Sequence, residues 1–121
     1  MPSSPSPSYL DLSISYNWLG GVAQAGGDLA GARGFFEKYQ ELTKTLADAD
    51  PSNAGWQVDL AISHVKLIGV ALSSKDTAAV RTHKEAARAI LDRLDREGKG
   101  KGDAMVARIR AYLAGLDKST P

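Results

Sequence analysis

Asp11-Leu-Ser-Ile-Ser-Tyr16 is echoed forty-eight positions later by Asp59-Leu-Ala-Ile-Ser-His64. The echo runs without a gap from residues 11–46 onto 59–94. It keeps Leu12/Leu60, Ile14/Ile62, Leu19/Leu67, Gly21/Gly69, Val22/Val70 and Asp28/Asp76, then Ala30/Ala78, Arg33/Arg81, Glu37/Glu85 and Leu46/Leu94. Self-similarity at a period of roughly 20–50 residues marks supersecondary units that bury their apolar faces against one another. A chain built this way is confined to a stack of like units, and the first expectation for its function is binding rather than chemistry.

Within each copy the apolar spacing is helical. Leu12, Tyr16, Leu19 and Val22/Ala23 predict a first helix from Leu10 to Gly26-Gly27, where glycine can take the left-handed conformation that closes helices. Asp28 fits the N-cap of a second helix, its carboxylate accepting from free backbone N–H groups. That helix carries Leu29, Ala32, Phe36, Tyr39, Leu42 and Leu46 to about Ala49, and Pro51 and Asn53 punctuate its end. In the second copy Ser52 or Asn53 caps a helix with Leu60, Ser63/His64, Leu67 and Val70/Ala71 facing inward. Ser73-Ser74-Lys75 turns the chain, and Asp76 caps a fourth helix through Val80, Ala87, Ile90/Leu91 and Leu94 to about Glu97. Gly98-Lys-Gly-Lys-Gly102 reads as a hinge, since glycines cost a helix roughly 1 kcal/mol each. Asp103 caps a last helix with Met105, Ile109, Tyr112/Leu113 and Leu116 on one side.

The expected fold is therefore all-α. Two antiparallel helix-turn-helix repeats, 9–50 and 52–97, are followed by a C-terminal capping helix over 103–116, as in a fragment of an α-solenoid. Residues 1–8 form a disordered Pro/Ser-rich lead, and 117–121 a tail. The last helix covers the second pair. The first pair has no such cover, because the lead is too poor in apolar side chains to supply it. The N-terminal flank is the expected sticky surface.

Leu19-Gly20-Gly21-Val22-Ala23-Gln24-Ala25-Gly26-Gly27-Asp28-Leu29-Ala30-Gly31-Ala32 resembles the Leu-Gly…Gly-Asp…Ala core of the tetratricopeptide repeat family. Phe36 stands where that family places an aromatic on its second helix. Asp50-Pro-Ser-Asn-Ala-Gly-Trp-Gln57 is similar to the link between units in a longer bacterial form, with repeats of about 48–50 residues. The resemblance covers residues 9–97. It implies a right-handed stack whose concave face, lined by first helices, holds a peptide or partner segment. The second copy departs from the pattern: Ile68 replaces Gly20, Lys75 replaces Gly27, Val80 replaces Ala32 and Lys84 replaces Phe36. A bulkier crossing is expected to open the second helix pair.

Composition removes whole classes of function. Cysteine is absent from the 121 residues, which excludes disulfides, thiol catalysis and thiolate metal sites. No apolar run approaches the ~20 residues of a membrane span. The Met-Pro-Ser-Ser-Pro start has neither the basic nor the apolar part of a secretory signal, so a cytoplasmic location is expected. Charge is uneven: residues 1–60 hold three Lys/Arg against seven Asp/Glu, a balance of −4, while 61–121 hold twelve against seven, a balance of +5.

Chemistry finds little to work with. Asp11 and Asp59 are one position in two copies, suited to the positive end of a helix rather than to paired acid–base roles. His64 aligns with Tyr16 and reads as a hydrogen-bonded core histidine; His83 aligns with Phe35 and reads as a rim residue. No His-Glu-x-x-His pattern occurs, and Gly98–Gly102 lacks the spacing of a phosphate loop. Ser13, Ser15 and Ser63 have no candidate base. The sequence thus leads to no catalytic residue, cofactor or metal, and to a non-enzymatic scaffold that binds a protein or peptide, or a second copy as a homodimer. Tyr16, Asn17, Trp18, Gln24 and Lys66, on the two first helices, are the candidate partner-binding residues. The alternative is a nucleic-acid or polyanion adaptor using Arg81, Lys84, Arg88, Arg96, Lys99 and Lys101. It is the weaker reading, because Glu85, Asp92, Asp95 and Glu97 interrupt the run and no aromatic interleaves it.

Overall fold

Five helices follow one another in a computed structural model that describes residues 7–100 and 103–119: α1 (Pro7–Ala25), α2 (Leu29–Ala49), α3 (Ala54–Ser73), α4 (Thr77–Arg96) and α5 (Ala104–Ser119). No strand occurs among the described residues. Each helix packs on the next: α1 on α2, α2 on α3, α3 on α4, and α5 across both α3 and α4.

One turn geometry recurs. At the end of α1, Asp28 N–H donates to Ala23 O (2.8 Å) and Gly27 N–H to Gln24 O (3.1 Å), with Gly27 at φ +83°. At the end of α3, Asp76 donates to Ala71 O (2.9 Å) and Lys75 to Leu72 O (3.1 Å), with Lys75 at φ +60°. At the end of α4, Lys99 donates to Leu94 O (2.8 Å) and Gly98 to Asp95 O (3.0 Å), with Gly98 at φ +70°. This paired pattern is the Schellman closure, which satisfies carbonyls that the helix end leaves without partners. Asp28 and Asp76 then open the next helix, their carboxylates accepting from Gly31 N–H (2.9 Å) and Ala79 N–H (3.0 Å). Asn53 does the same for α3 through Trp56 N–H (3.2 Å), and Asp103 for α5 through Met105 N–H (2.8 Å).

Boundaries differ from expectation at three places. The helix α1 begins at Pro7, inside the expected lead, because proline's fixed φ suits a first helical turn and its missing N–H is not needed there. The rest of the lead, residues 1–6, lies outside the described residues, as do Lys101 and Gly102 of the glycine run and residues 120–121 of the tail. Gly100, expected within a hinge, is buried: a Cβ there would lie 3.6 Å from both Leu94 Cβ and Val106 Cγ1. Beside it Lys99 Nζ donates to Ser52 O (2.8 Å), so the described part of that run is packed onto the start of the second pair. The third difference is at the end of α5, which continues past 116 because Asp117 is held by Lys84 (3.0 Å) and Arg88 (2.6 Å) of α4.

The core falls into two clusters. Ala32, Phe36 and Tyr39 of α2 meet Leu67 and Val70 of α3, with Tyr16 and Ala23 of α1 against them. Val58, Ala61, Ile68 and Ala71 of α3 join Val80, Ala87, Leu91 and Leu94 of α4 and Val106, Ile109, Leu113 and Leu116 of α5. The second helix pair does not open. In the first pair Phe36 fills the space over Gly20; in the second, fully buried Ile68 supplies the bulk from the opposite helix, and Lys84 in the place of Phe36 turns to Asp117. The same gap is filled from the other side.

Candidate protein-interaction surface

The helix α1 holds one charged residue, Asp11, and is apolar on more than the side it needs for α2. Leu10, Ile14, Trp18 and Val22 recur every four residues, and Leu12 and Leu19 stand farther round the helix; all six are exposed, Ile14 by 59% and Trp18 by 69%. A helix that is apolar beyond its packed stripe is normally buried all round. Asp11 and Ser15 stand exposed among the six.

The second copy shows what such a face looks like when covered. Forty-eight residues on, α3 places Val58, Ile62, Lys66, Leu67 and Val70 at the positions of Leu10, Ile14, Trp18, Leu19 and Val22. Val58 is 8% exposed, Leu67 4% and Val70 2%, because α3 lies between α2, α4 and α5. The α1 helix has α2 beside it and comes near α3 at its C-terminal end, where Gln24 Nε2 would lie 3.3 Å from a Cβ on Gly69.

Of the five candidate partner-binding residues, Trp18 alone belongs to this outer face. Tyr16, Asn17, Gln24 and Lys66 are half-buried. The helical period separates them, since residues 16, 17 and 24 fall away from the 14–18–22 stripe. Tyr16 packs its ring on Phe35 at a centroid distance of 6.3 Å. Asn17 Oδ1 is enclosed and has no hydrogen-bond partner among the described residues. Lys66 occupies the position of Trp18 in the second copy. Of the stripe expected on α1, Tyr16 and Ala23 pack against the core while Leu12, Leu19 and Val22 are exposed; an apolar helical stripe reads as core until the neighbours are known.

His64 and His83 meet between α3 and α4. Their Nδ1 atoms lie 2.8 Å apart, and the Gln40 amide of α2 donates to His64 Nδ1 at 2.9 Å. Of the two facing Nδ1 atoms one must donate and the other accept, so the two neutral rings take opposite roles there. Burial, then the nearby His83, draws the His64 pKa down to about 4. Burial also lowers that of His83, against the opposing pull of the Glu37 and Asp76 carboxylates. His83 is thus a half-buried partner of His64 rather than a rim residue. The signal was in the echo: His64 and His83 are Tyr16 and Phe35 moved on by forty-eight, and both pairs touch.

The basic half is engaged with its own carboxylates in part. Lys84 and Arg88 hold Asp117, Arg93 holds Glu97 (3.5 Å), and Arg110 holds Asp92 and Asp95. Lys99 also reaches Glu97 (3.5 Å), whereas Arg81 and Arg96 stand exposed. An open groove of about 500 Å³ between the starts of α3 and α5 is lined by Trp56, Asp59, Ile62, Asp103 and Met105. Burial raises the Asp59 pKa, and Asp103 is occupied as a helix cap. No group of three or more His, Asp or Glu side chains among the described residues is arranged to hold a metal ion, and no described helix is long and apolar enough to cross a membrane. Comparison of the chain with protein-family models, curated proteins and solved structures finds no match.

Proposed function

We propose that the chain is a non-enzymatic protein-interaction module. It is read as two stacked helical hairpins of the tetratricopeptide kind with a capping helix, and it docks an apolar helical surface on the outer face of α1. One observation carries the reading: six large apolar side chains stand exposed on a helix with a single charge, at positions whose counterparts on α3 are buried (Val58, Leu67, Val70) or half-buried (Leu60, Ile62, Lys66). Two features support the stacked-hairpin description. The Schellman turn and aspartate cap recur at an interval of forty-eight residues, and the Tyr16–Phe35 and His64–His83 contacts are the same pair in two copies.

The testing experiment is an affinity capture from cells that make the protein, with the intact chain and an Ile14→Glu/Trp18→Lys variant compared side by side. We expect a protein, a second copy included, that the intact chain retains and the variant loses. Identical captured sets from both overturn the reading.

A further inference from the structure

We infer that the groove between the starts of α3 and α5 is a docking site for an arginine side chain carried on an extended segment of a partner protein. The inference rests on the chain's being an interaction module, but not on the outer face of α1. Trp56, Asp59 and Ile62 follow at three-residue steps on α3 and line the groove. That spacing makes each the neighbour of the next on the helix surface, with Cβ atoms about 5–6 Å apart. Val58 and Met105 add apolar walls, and Asp103 joins from the start of α5, around a volume of about 500 Å³.

Charge selects the occupant. The Asp59 carboxylate is half-buried, yet it accepts no hydrogen bond and joins no ion pair among the described residues. Burial has raised its pKa, and Tyr39 of α2, whose ionisation burial and Asp59 both oppose, brings it no positive charge. Asp59 and Asp103 are the charged residues lining the groove, and no described Lys, Arg or His joins them. The two helix starts beside it amount to about half a positive charge each. Asn53 and Asp103 already take N–H groups there, and two carboxylates outweigh what is left. A carboxylate drawn partly out of water without a partner is costly, and a cation relieves it.

Shape narrows the cation to a guanidinium. Trp56 is a half-buried ring one helical turn before Asp59, and a cation within about 6 Å of an indole face is attracted to it. A guanidinium meets both groups at once, its plane stacked on the ring and its N–H fork on the two carboxylate oxygens. Lysine offers a hydrated point charge that cannot do both. The groove is open, so it takes a side chain and leaves the backbone outside, whereas small-molecule sites bury most of their ligand. The first copy has Ser8 and Asp11 at the positions of Trp56 and Asp59, so the pair belongs to the second hairpin alone.

The test is a titration of the full-length Trp18→Phe chain, in which Trp56 is the remaining tryptophan, with the blocked peptide acetyl-Ala-Leu-Arg-Leu-Ala-amide. We expect a saturable change in indole emission, and at least tenfold weaker binding when citrulline, the uncharged isostere, replaces the arginine. Asp59→Asn should lose as much while folding at least as stably as its parent, because it removes a charge that has no partner. In the parent chain the Asp59 carboxyl pKa, followed by NMR, should fall when the peptide binds. Emission that stays unchanged up to millimolar peptide overturns the inference. So does equal affinity for the citrulline or lysine peptide, an Asp59→Asn chain that binds as its parent does, or an Asp59 pKa that the peptide leaves in place. Arginine amide binding as tightly as the peptide overturns it too, since the occupant is then a free guanidinium compound. The Ile14→Glu/Trp18→Lys chain should bind the peptide as Trp18→Phe does, and a loss there puts the peptide on α1 instead. A failed affinity capture and a failed titration are therefore distinguishable.

Discussion

His64 and His83 touch through Nδ1 atoms 2.8 Å apart at the place in the second hairpin where Tyr16 and Phe35 touch in the first. A ring contact has been exchanged for a shared proton, and a shared proton is sensitive to acid. Both imidazoles are held below their ordinary pKa, His64 at about 4. The unfolded chain therefore binds protons that the folded chain refuses between pH 6.5 and about 4. Stability is constant for this pair above pH 6.5 and falls as pH drops through that window. Allowing for solvent screening at a half-buried site, the loss is about 2 kcal/mol. Urea unfolding midpoints at pH 7.5 and pH 4.5 should show it, and a His64→Tyr/His83→Phe variant should lose most of the difference. Burial also raises the Asp59 pKa, so the comparison between chains, rather than the slope of either, is decisive.

Gly20 is fixed by Phe36. A Cβ at Gly20 would fall 2.5 Å from Cδ1 and Cε1 of the fully buried ring. Overpacking of this kind costs about 1–3 kcal/mol, which outweighs alanine's better helix propensity. We expect Gly20→Ala to destabilise by that amount in the parent and by less than half of it in a Phe36→Leu background. Equal costs in both backgrounds, measured by chemical denaturation, would show that the ring is not the obstacle.

Lys75 adopts φ +60° where the first copy uses Gly27. Left-handed backbone costs a side-chain-bearing residue roughly 1–2 kcal/mol, and glycine almost nothing. Lys75→Gly should raise stability by about 1 kcal/mol, visible as a rise of roughly 4 °C in Tm. Gly27→Ala should lower it by a similar amount.

Asn17 buries a carbonyl oxygen with no partner among the described residues, a penalty of about 1–3 kcal/mol. The second copy places Val65 at the same register, packed against the core. Asn17→Val should therefore stabilise the chain by about 1 kcal/mol in urea unfolding. A loss of stability would mean that the amide nitrogen holds more than the oxygen forfeits.

Helix existence, the Asp28 and Asp76 caps and the Gly27 turn were legible because each depends on residues within five positions of one another. The Phe36 site, which joins residues sixteen positions apart, was legible only through the family resemblance of the first copy. Ile68 misled: a larger residue at a crossing was read as a wedge, whereas the crossing had lost its phenylalanine and needed filling. His83 misled because its sequence neighbours, Lys84 and Glu85, are polar, while its contact comes from another helix. The binding candidates divided along the same line. Trp18 stood out as an aromatic, but the aliphatic residues beside it look like core in any sequence, and only their missing neighbours distinguish them.

Asp28 closes α1 with its backbone N–H and opens α2 with its carboxylate; Asp76 does both for α3 and α4. Each hairpin thus contains, within its own stretch of chain, everything that reverses its direction. Translation proceeds at about 5–20 residues per second, while loops and helices form in microseconds or less. The first hairpin therefore has seconds to assemble before α3 has left the ribosome. During that interval the side of α2 that will receive Leu67 and Val70 stands open, as does α1. A first pair formed in that interval would stand with two apolar sides uncovered, the stage at which a chaperone or a neighbouring nascent chain has most to gain by meeting it.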